Sequence, residues 1–518
     1  MCIACAVDAV ALAEEVAKMQ QSQKEAAPSQ APPGSGQSPD AKAVNSRLDR
    51  DLYANRKKIY PKLAIGKFRT IKWIVMVATL GIYYAVPWIR WPRTPDHPSQ
   101  AILIDVAKER LFIGPLEIWP QELYLVTGLL VLSALGLFLV TALAGRVWCG
   151  YACPQTVWTD LMIAVERLWQ GDRNARMRLD AAPWSARKVL LKAATHVSWL
   201  LIGLATGGAL VFYFRDAPTL MHEFLTGTAP AVAWLFLGIF TFTTYLLGGI
   251  AREQVCTYMC PWPRIQGAMF DADSFLVSYR PNRGEPRGPH KKGESWEARG
   301  DCIDCTQCIA VCPMGIDIRE GPQLECIQCA LCIDACNGVM AKVGRPSLLI
   351  AYDTFHNLDA NVHGRTQRSR VIRPRTVLYA GLIVLVATLM GVVLATRSSE
   401  AITVQADRDP IFVRLTDDSI RNGYTVKILD RHTNSQFYHL AIQGLTGARL
   451  SIVGYESETD AGIEVKSDAV RTLRVYVSVP PDAVKRLNAA STRFGMVITN
   501  TADGTVTTHP TDFRSPPP

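Results

Sequence analysis

The sequence predicts a polytopic α-helical membrane protein of about five spans, with a cysteine-rich segment before the last span and a β-rich domain after it. Three observations predict this class. Hydrophobic residues make up 49% of the 518-residue chain, a high share for a purely soluble protein. Five segments, near 72–89, 121–144, 192–214, 229–250 and 376–396, reach the roughly 18 largely uncharged residues needed to cross about 30 Å of hydrocarbon. Eight of the 14 cysteines crowd into residues 301–337, with spacing that no ordinary disulfide framework uses.

Residues 1–46 read as an arm. It opens on "MCIAC", where Cys2 and Cys5 form a C-x2-C pair that is either a metal-shuttling hook or part of a dispensable tail. Residues 22–46, rich in Pro, Ser, Gly, Ala and Gln, cannot supply a core and read as a tether. Residues 47–260 hold the first four spans. The first of these follows some seventy residues of chain and precedes no small-residue cleavage site, so it is expected to remain in the membrane.

Basic residues set the orientation, because Lys-rich and Arg-rich loops stay in the cytoplasm. Arg56, Lys57, Lys58, Lys62, Lys67, Arg69 and Lys72 approach the first span, and Arg146, Arg167, Arg173, Arg176, Arg178, Arg187 and Lys188 lie between the second and third. Residues 261–375 are basic throughout, whereas the loop between the third and fourth spans carries only Arg215. The amino terminus is therefore expected inside, and residues 397–518, beyond the span at 376–396, outside. The net charge of +9 reads as topology and not as nucleic-acid binding.

The first four spans contain a repeat. Each helical hairpin runs into Cys-x3-Cys-Pro, as "GRVWCGYACPQ" and then "AREQVCTYMCPWP". A helix is expected to restart at each proline, and a helical continuation would place Cys149 with Cys153, and Cys256 with Cys260, on one face. After the first copy, Trp158, Leu161, Met162, Val165, Leu168 and Trp169 share a helical face that suits the membrane surface. Four thiols gathered there would bind a soft metal such as Cu(I), hold a further cluster, or cycle between dithiol and disulfide. Arg146 and Arg252 would favour the thiolate form.

In residues 300–340, Cys302, Cys305, Cys308 and Cys312 form C-x2-C-x2-C-x3-C-P. Cys326, Cys329, Cys332 and Cys336 repeat it with Asn337 in place of proline. Three closely spaced thiolates grip one cubane while the fourth reaches the other. The spacing thus predicts two 4Fe-4S clusters in a dicluster ferredoxin-like segment. Cys302, Cys305, Cys308 and Cys336 would hold one, and Cys326, Cys329, Cys332 and Cys312 the other. Structural zinc uses paired C-x2-C units with longer gaps, and disulfides are foreign to a cytoplasmic face.

Past the fifth span, short alternating runs such as "YTVKIL" and "LRVYVSV" predict an antiparallel, immunoglobulin-like β-sandwich without its disulfide. His196, inside the third span, is either a copper ligand or a membrane histidine hydrogen-bonded to a neighbouring helix. His356 and His363 read as solvated loop residues. No covalent-haem, dinucleotide or nucleotide-hydrolysis motif occurs, so electrons must come from another donor, which the sequence leaves unknown.

Together, "WCGYACPQTVW", "CTYMCPWPRIQ", "CIDCTQCIAVCPMGIDIR", "LECIQCALCIDAC" and the C-terminal β-domain resemble the CcoG family, also called FixG or RdxA, from about residue 50 onward. These are accessory proteins of cbb3-type cytochrome c oxidase. The resemblance implies a bacterial inner-membrane protein that reduces Cu(II) to Cu(I) for the oxidase's binuclear centre, with a periplasmic C-terminal domain. It further implies oxidase assembly factors or copper chaperones as partners, and Cys149, Cys153, Cys256 and Cys260 as the catalytic positions where copper meets the electron. Membrane quinol dehydrogenase subunits share paired C-x3-C-P motifs, so a quinol-linked electron-transfer subunit is a second reading and a non-enzymatic assembly scaffold a third.

Overall fold

A computed structural model describes the chain from Lys57 to Pro516, apart from residues 94–96, 292, 364, 366–369, 398–399, 431–434, 456–461, 467–468 and 485–489; of the arm it describes only Ala43. Cys2, Cys5 and the tether lie outside the described residues. Two compact units divide at Met390.

In the first unit, five helices are long and apolar enough to cross a membrane: Lys67–Trp88, Leu123–Ala144, Ala186–Val211, Ala231–Ala251 and Pro374–Ala395. The first starts five residues earlier than expected from hydropathy, within α1 (Lys67–Ala85). Arg69 and Lys72 can join the helix because both are buried against Asp160, at 2.9 and 3.8 Å. Between the first two spans lies a small antiparallel sheet that hydropathy does not reveal, β1 (Ile102–Asp105), β2 (Arg110–Ile113) and β3 (Leu116–Ile118).

The second span is α2 (Leu123–Ala144). A one-turn helix, α3 (Val147–Tyr151), and α4 (Pro154–Gln170) follow, with Pro154 at the first helical position. In α4 the inward face is carried by Asp160, Met162, Ile163, Glu166 and Gln170. Of the apolar face read from sequence, Leu168 and Trp169 are exposed. The polar side turns inward because buried ion pairs await it: Glu166 meets Arg176 at 3.0 Å, Arg252 at 2.9 Å and Lys58 at 3.3 Å. Burial alone would raise the Glu166 carboxyl, but these three cations outweigh it and hold it at about 2.

The third span, α5 (Ala186–Val211), and α6 (Ala231–Thr244) of the fourth approach closely at Gly203 and Gly207. A Cβ on Gly203 would lie 2.9 Å from the Thr241 carbonyl oxygen, and one on Gly207 3.0 Å from that of Leu237. Small residues four apart admit such backbone contact. Beyond α6 the helix widens into a π-helical stretch, Tyr245–Ala251, and a second one at Val255–Met259.

The cysteine-rich segment is bracketed by a two-stranded sheet of β4 (Leu276–Tyr279) and β5 (Ile350–Asp353) and includes α7 (Leu331–Lys342). It docks on the membrane region through a helix cap. The Asp334 carboxylate of α7 accepts from the backbone N–H groups of Phe68 at 3.2 Å and Arg69 at 2.8 Å, at the start of α1. Those donors have no partner within their own helix, and a negative charge is favoured there. Gly66 leaves the room, since a Cβ would overlap the Asp334 side chain.

The last span is α8 (Pro374–Ala395). The second unit is a β-sandwich. One sheet runs β10 (Arg449–Ile452), β12 (Ala469–Val479), β8 (Ile420–Asp430), β6 (Glu400–Ala406), with β7 (Val413–Arg414) also on β8. The other runs β11 (Ile463–Val465), β9 (Gln436–Gln443), β13 (Ser491–Asn500), β14 (Val506–Arg514). Alternate residues of both sheets, among them Val426, Ile428, Leu440, Val475, Met496 and Phe513, form one buried core.

Candidate metal centre

The two halves of the cysteine-rich segment share an unusual backbone. Asp304 and Thr306 in the first, and Gln328 and Ala330 in the second, have φ between 52° and 59°. These left-handed residues sit at matching positions around Cys305 and Cys329. They wrap each C-x2-C-x2-C run into a cup that right-handed backbone alone would not form.

The cups gather two groups of thiols. Cys336 lies within electrostatic reach of Cys302 and Cys305, as does Cys308. Cys312 faces Cys329, and Cys326 faces both. Cys332 feels Cys329, Cys326 and Cys312 most strongly, then Cys308 of the other group. Cys312, Cys326, Cys329 and Cys332, together with Cys308 of the other group, line one small cavity of about 20 Å³. Each half therefore sends its last cysteine into the other half's group.

The residues fit iron–sulfur clusters. Burial pushes Cys308 and Cys332 well above the ordinary thiol range, Cys312 to about 11 and Cys326 and Cys336 to about 12. Such thiolates require a cation to hold them ionised, and all-sulfur donor sets select soft metals. Among the described residues no three Cys, His, Asp or Glu side chains lie close enough to hold one metal ion, whereas a cubane spreads its thiolates more widely. The 12 described cysteines are free of disulfides.

The structure brings Cys149, Cys153, Cys256 and Cys260 together. Cys149 lies within electrostatic reach of Cys153 and Cys260, and Cys256 of Cys153, Cys149 and Cys260. They do not pair along helical faces. Cys153 and Cys260 are extended, at ψ 128° and 122°, because each precedes a proline, which disfavours helical backbone in the residue before it. Cys149 sits in α3 and Cys256 in the second π-helical stretch. Gln266 joins the copies, accepting from the Cys149 thiol at 3.2 Å and donating to Thr141 at 3.2 Å.

The thiolate expectation is also corrected. Burial pushes Cys149 and Cys256 up to about 12. Arg146 opposes this at Cys149 but does not overcome it, and Arg252 turns its guanidinium to Glu166 instead, at 2.9 Å.

Arg146 has another role. Fully buried, it joins the membrane boundary to the second cysteine group. Its guanidinium donates to the carbonyls of Leu324, Cys326 and Pro263, and its N–H donates to Gln328 Oε1 at 2.9 Å. Tyr151 donates to the Cys329 carbonyl at 3.1 Å. Gly150 permits the approach, since a Cβ there would stand 2.7 Å from the Ile327 carbonyl oxygen and 3.1 Å from Cys329 Cα. Cys149, Cys256, Cys312, Cys326 and Cys329 consequently share one packed cluster with Ile327 and Met314. Sequence reading noted Arg146 only as a charge and passed over Gly150 and Tyr151, though the glycine between the two cysteines was the available signal.

The histidines divide. His196 Nδ1 lies 2.9 Å from the Tyr245 hydroxyl of the neighbouring span. His356 pairs with Asp273 at 3.0 Å, and His363 with the Asp359 carbonyl at 2.9 Å; both are exposed.

Comparison with known proteins places the chain. It is 49% identical over 472 residues to the nitrogen fixation protein FixG of Rhizobium meliloti, spanning 85% of this chain and 90% of that protein. The chain belongs to the FixG family. RdxB of Cereibacter sphaeroides, 49% identical over 82% of this chain and 90% of its own length, resembles this FixG-family protein equally. The ferredoxin-type protein NapH of Haemophilus influenzae is a distant relative, 23% identical over 40% of this chain and 65% of its own. Residues 251–355 match the 4Fe-4S dicluster domain, 126–170 a 4Fe-4S binding domain, and 390–516 the IG-like fold at the C-terminus of FixG. This FixG-family chain is an iron–sulfur electron-transfer protein with five membrane-spanning helices.

Proposed function

We propose that the chain reduces Cu(II) to Cu(I) and thereby supports copper delivery to the binuclear centre of a cbb3-type oxidase. The observation that carries this reading is the packing of Cys149 and Cys256, one cysteine from each Cys-x3-Cys-Pro copy, against the second ferredoxin group, with Arg146, Gly150 and Tyr151 fastening the first copy there. In this reading Cys302, Cys305, Cys308 and Cys336 hold one 4Fe-4S cluster and Cys326, Cys329, Cys332 and Cys312 the other. The clusters, when bound, supply one-electron transfer.

Cys149 and Cys256 form the half-buried inner part of the copper surface and Cys260 its exposed part. Cu(II) is the substrate and takes up one electron there. Thiolates favour the soft Cu(I) product over Cu(II), which drives the reduction forward. In this reading the amino terminus lies in the cytoplasm of a bacterial cell, as the basic loops favour, and the β-sandwich lies in the periplasm, where oxidase assembly factors or a copper chaperone would meet it.

The 4Fe-4S binding-domain match across Cys149 and Cys153, with the likeness to a ferredoxin-type protein, favours a second reading: the four cysteines hold a further cluster in a quinol-linked electron-transfer subunit. One experiment separates the readings. The protein, purified anaerobically and reduced, is mixed with Cu(II) and a colorimetric Cu(I) trap, beside a variant with Cys149, Cys153, Cys256 and Cys260 changed to serine. Copper reduction predicts trapped Cu(I) matching the electrons lost, with slow turnover in the variant at unchanged dicluster iron. A reduced wild-type protein that ignores Cu(II) would sink the proposal, and iron lost beyond the dicluster content in the variant would establish the further cluster.

A further inference from the structure

A cavity of about 250 Å³ lies where the third and fourth spans meet α4. Its walls include Ile59, Trp199 and Ile250, and its polar lining includes His196, Glu166 and Lys192. Trp199 is fixed by donating to the Met162 carbonyl at 2.9 Å and by packing on Gly249, where a Cβ would come within 2.9 Å of the indole. The volume falls just below the usual range of small-molecule sites, roughly 300–1,000 Å³, and admits one ring.

The cations lining the cavity already have partners. Lys58 and Lys192 both pair with Asp180, and Arg252 and Lys58 with Glu166. A phosphate headgroup would have to compete with these carboxylates. The polar group left to recognise a ligand is His196. Its Nδ1 faces the Tyr245 hydroxyl at 2.9 Å, and among the described residues its Nε2 takes no hydrogen bond. A hydroxyl can donate or accept, and a neutral imidazole carries its proton on either nitrogen. When Tyr245 donates to Nδ1, Nε2–H is a donor suited to a quinone carbonyl. When Nδ1–H donates to Tyr245, Nε2 is an acceptor suited to a hydroquinone O–H. The same pair thus serves both redox forms of one neutral ring.

The cavity also adjoins the cysteines. Arg252 and Glu253 line it, and both line a second, smaller cavity that Cys256 borders. We infer that this cavity binds the ring of a membrane-soluble quinone or hydroquinone, with the His196–Tyr245 pair as its anchor. The inference does not depend on what the four cysteines bind.

The test measures binding of a short-chain benzoquinone, and separately of its hydroquinone, to the full-length protein in detergent by anaerobic equilibrium dialysis. The expected result is one ring per chain, weakened at least about tenfold by His196→Leu, the effect of about 1.4 kcal/mol. Tyr245→Phe, which removes one oxygen and keeps the ring packing, should weaken binding several-fold and decides the matter if His196→Leu melts early. No saturable binding, equal affinity in both variants, or displacement of the ring by phosphatidylglycerol at one lipid per chain would overturn it. Copper reduction by chemically reduced protein is measured without quinone, so either result can fail while the other stands.

Discussion

The two Cys-x3-Cys-Pro copies are alike in sequence and differ in surroundings. The first is pressed onto the ferredoxin segment: Arg146 reaches the carbonyls of Leu324 and Cys326 across the junction, Gly150 admits the opposing backbone, and Tyr151 donates to the Cys329 carbonyl. The second lies on a π-helical stretch in which Val255–Met259 has no fully buried residue, and it ends at an exposed Cys260. A duplicated motif has become one half hydrogen-bonded to the ferredoxin segment and one half that meets it through Cys256 and ends exposed at Cys260. Its symmetry in sequence therefore does not imply symmetry in chemistry.

The largest expected effect comes from cutting what ties the copies together. Glu166→Gln leaves the fully buried Arg176, and Arg252 ahead of the second copy, without their charge partner. Breaking such a buried pair costs roughly 3–5 kcal/mol, which a lower melting temperature in detergent would record. The depressed carboxyl gives the matching pH dependence. Its contribution is complete above the unfolded value near 4.5 and is lost as pH falls towards about 2. A melting temperature indifferent to both changes would remove the tie.

Gly150→Ala tests docking of the first copy alone. A methyl group facing backbone at 2.7 Å should destabilise by about 1–3 kcal/mol and lower iron content in the second ferredoxin group. As a control, Tyr258→Ala, at the exposed position of the second copy that matches Tyr151, should do neither. In metal-free protein an alkylating reagent should modify the exposed Cys260 about tenfold faster than the half-buried Cys149, read by mass spectrometry of peptides; equal rates would erase the distinction between open and docked halves. Tyr151→Phe should have the smallest effect, roughly 0.5–1.5 kcal/mol for one hydrogen bond, with no loss of iron.

Much of this architecture is legible in the sequence. The five spans lie close to where hydropathy puts them, and the alternating runs after the fifth span form the sandwich. What hydropathy misplaces are the starts of the first and third spans, because a scale that charges Arg69, Lys72 and Lys188 for leaving water cannot see Asp160 or the carbonyls of Asp180 and Ala182 that receive them. The helical-face reading of the cysteine pairs fails at Cys153 and Cys260, where the following proline was in plain view and its effect on the preceding residue was not applied. The hydrogen bond of His196 to a neighbouring helix is one of its two readings from sequence, but its partner Tyr245 and the bridging Gln266 become visible only through contacts between distant segments. The small sheet between the first spans was missed because strands of three and four residues are too short to show a period.

The cap that Asp334 places on α1 has a consequence in time. Its carboxylate is made 266 residues after Phe68, the first backbone donor it satisfies. At about 5–20 residues per second of synthesis, the first span waits roughly 13–53 s for the end of its own helix to be completed. During that interval the cysteines from Cys302 to Cys336 are themselves still being made, so the membrane helix is finished only when nearly all of its chain's ferredoxin ligands exist. The end of the first helix and the metal segment are therefore completed together.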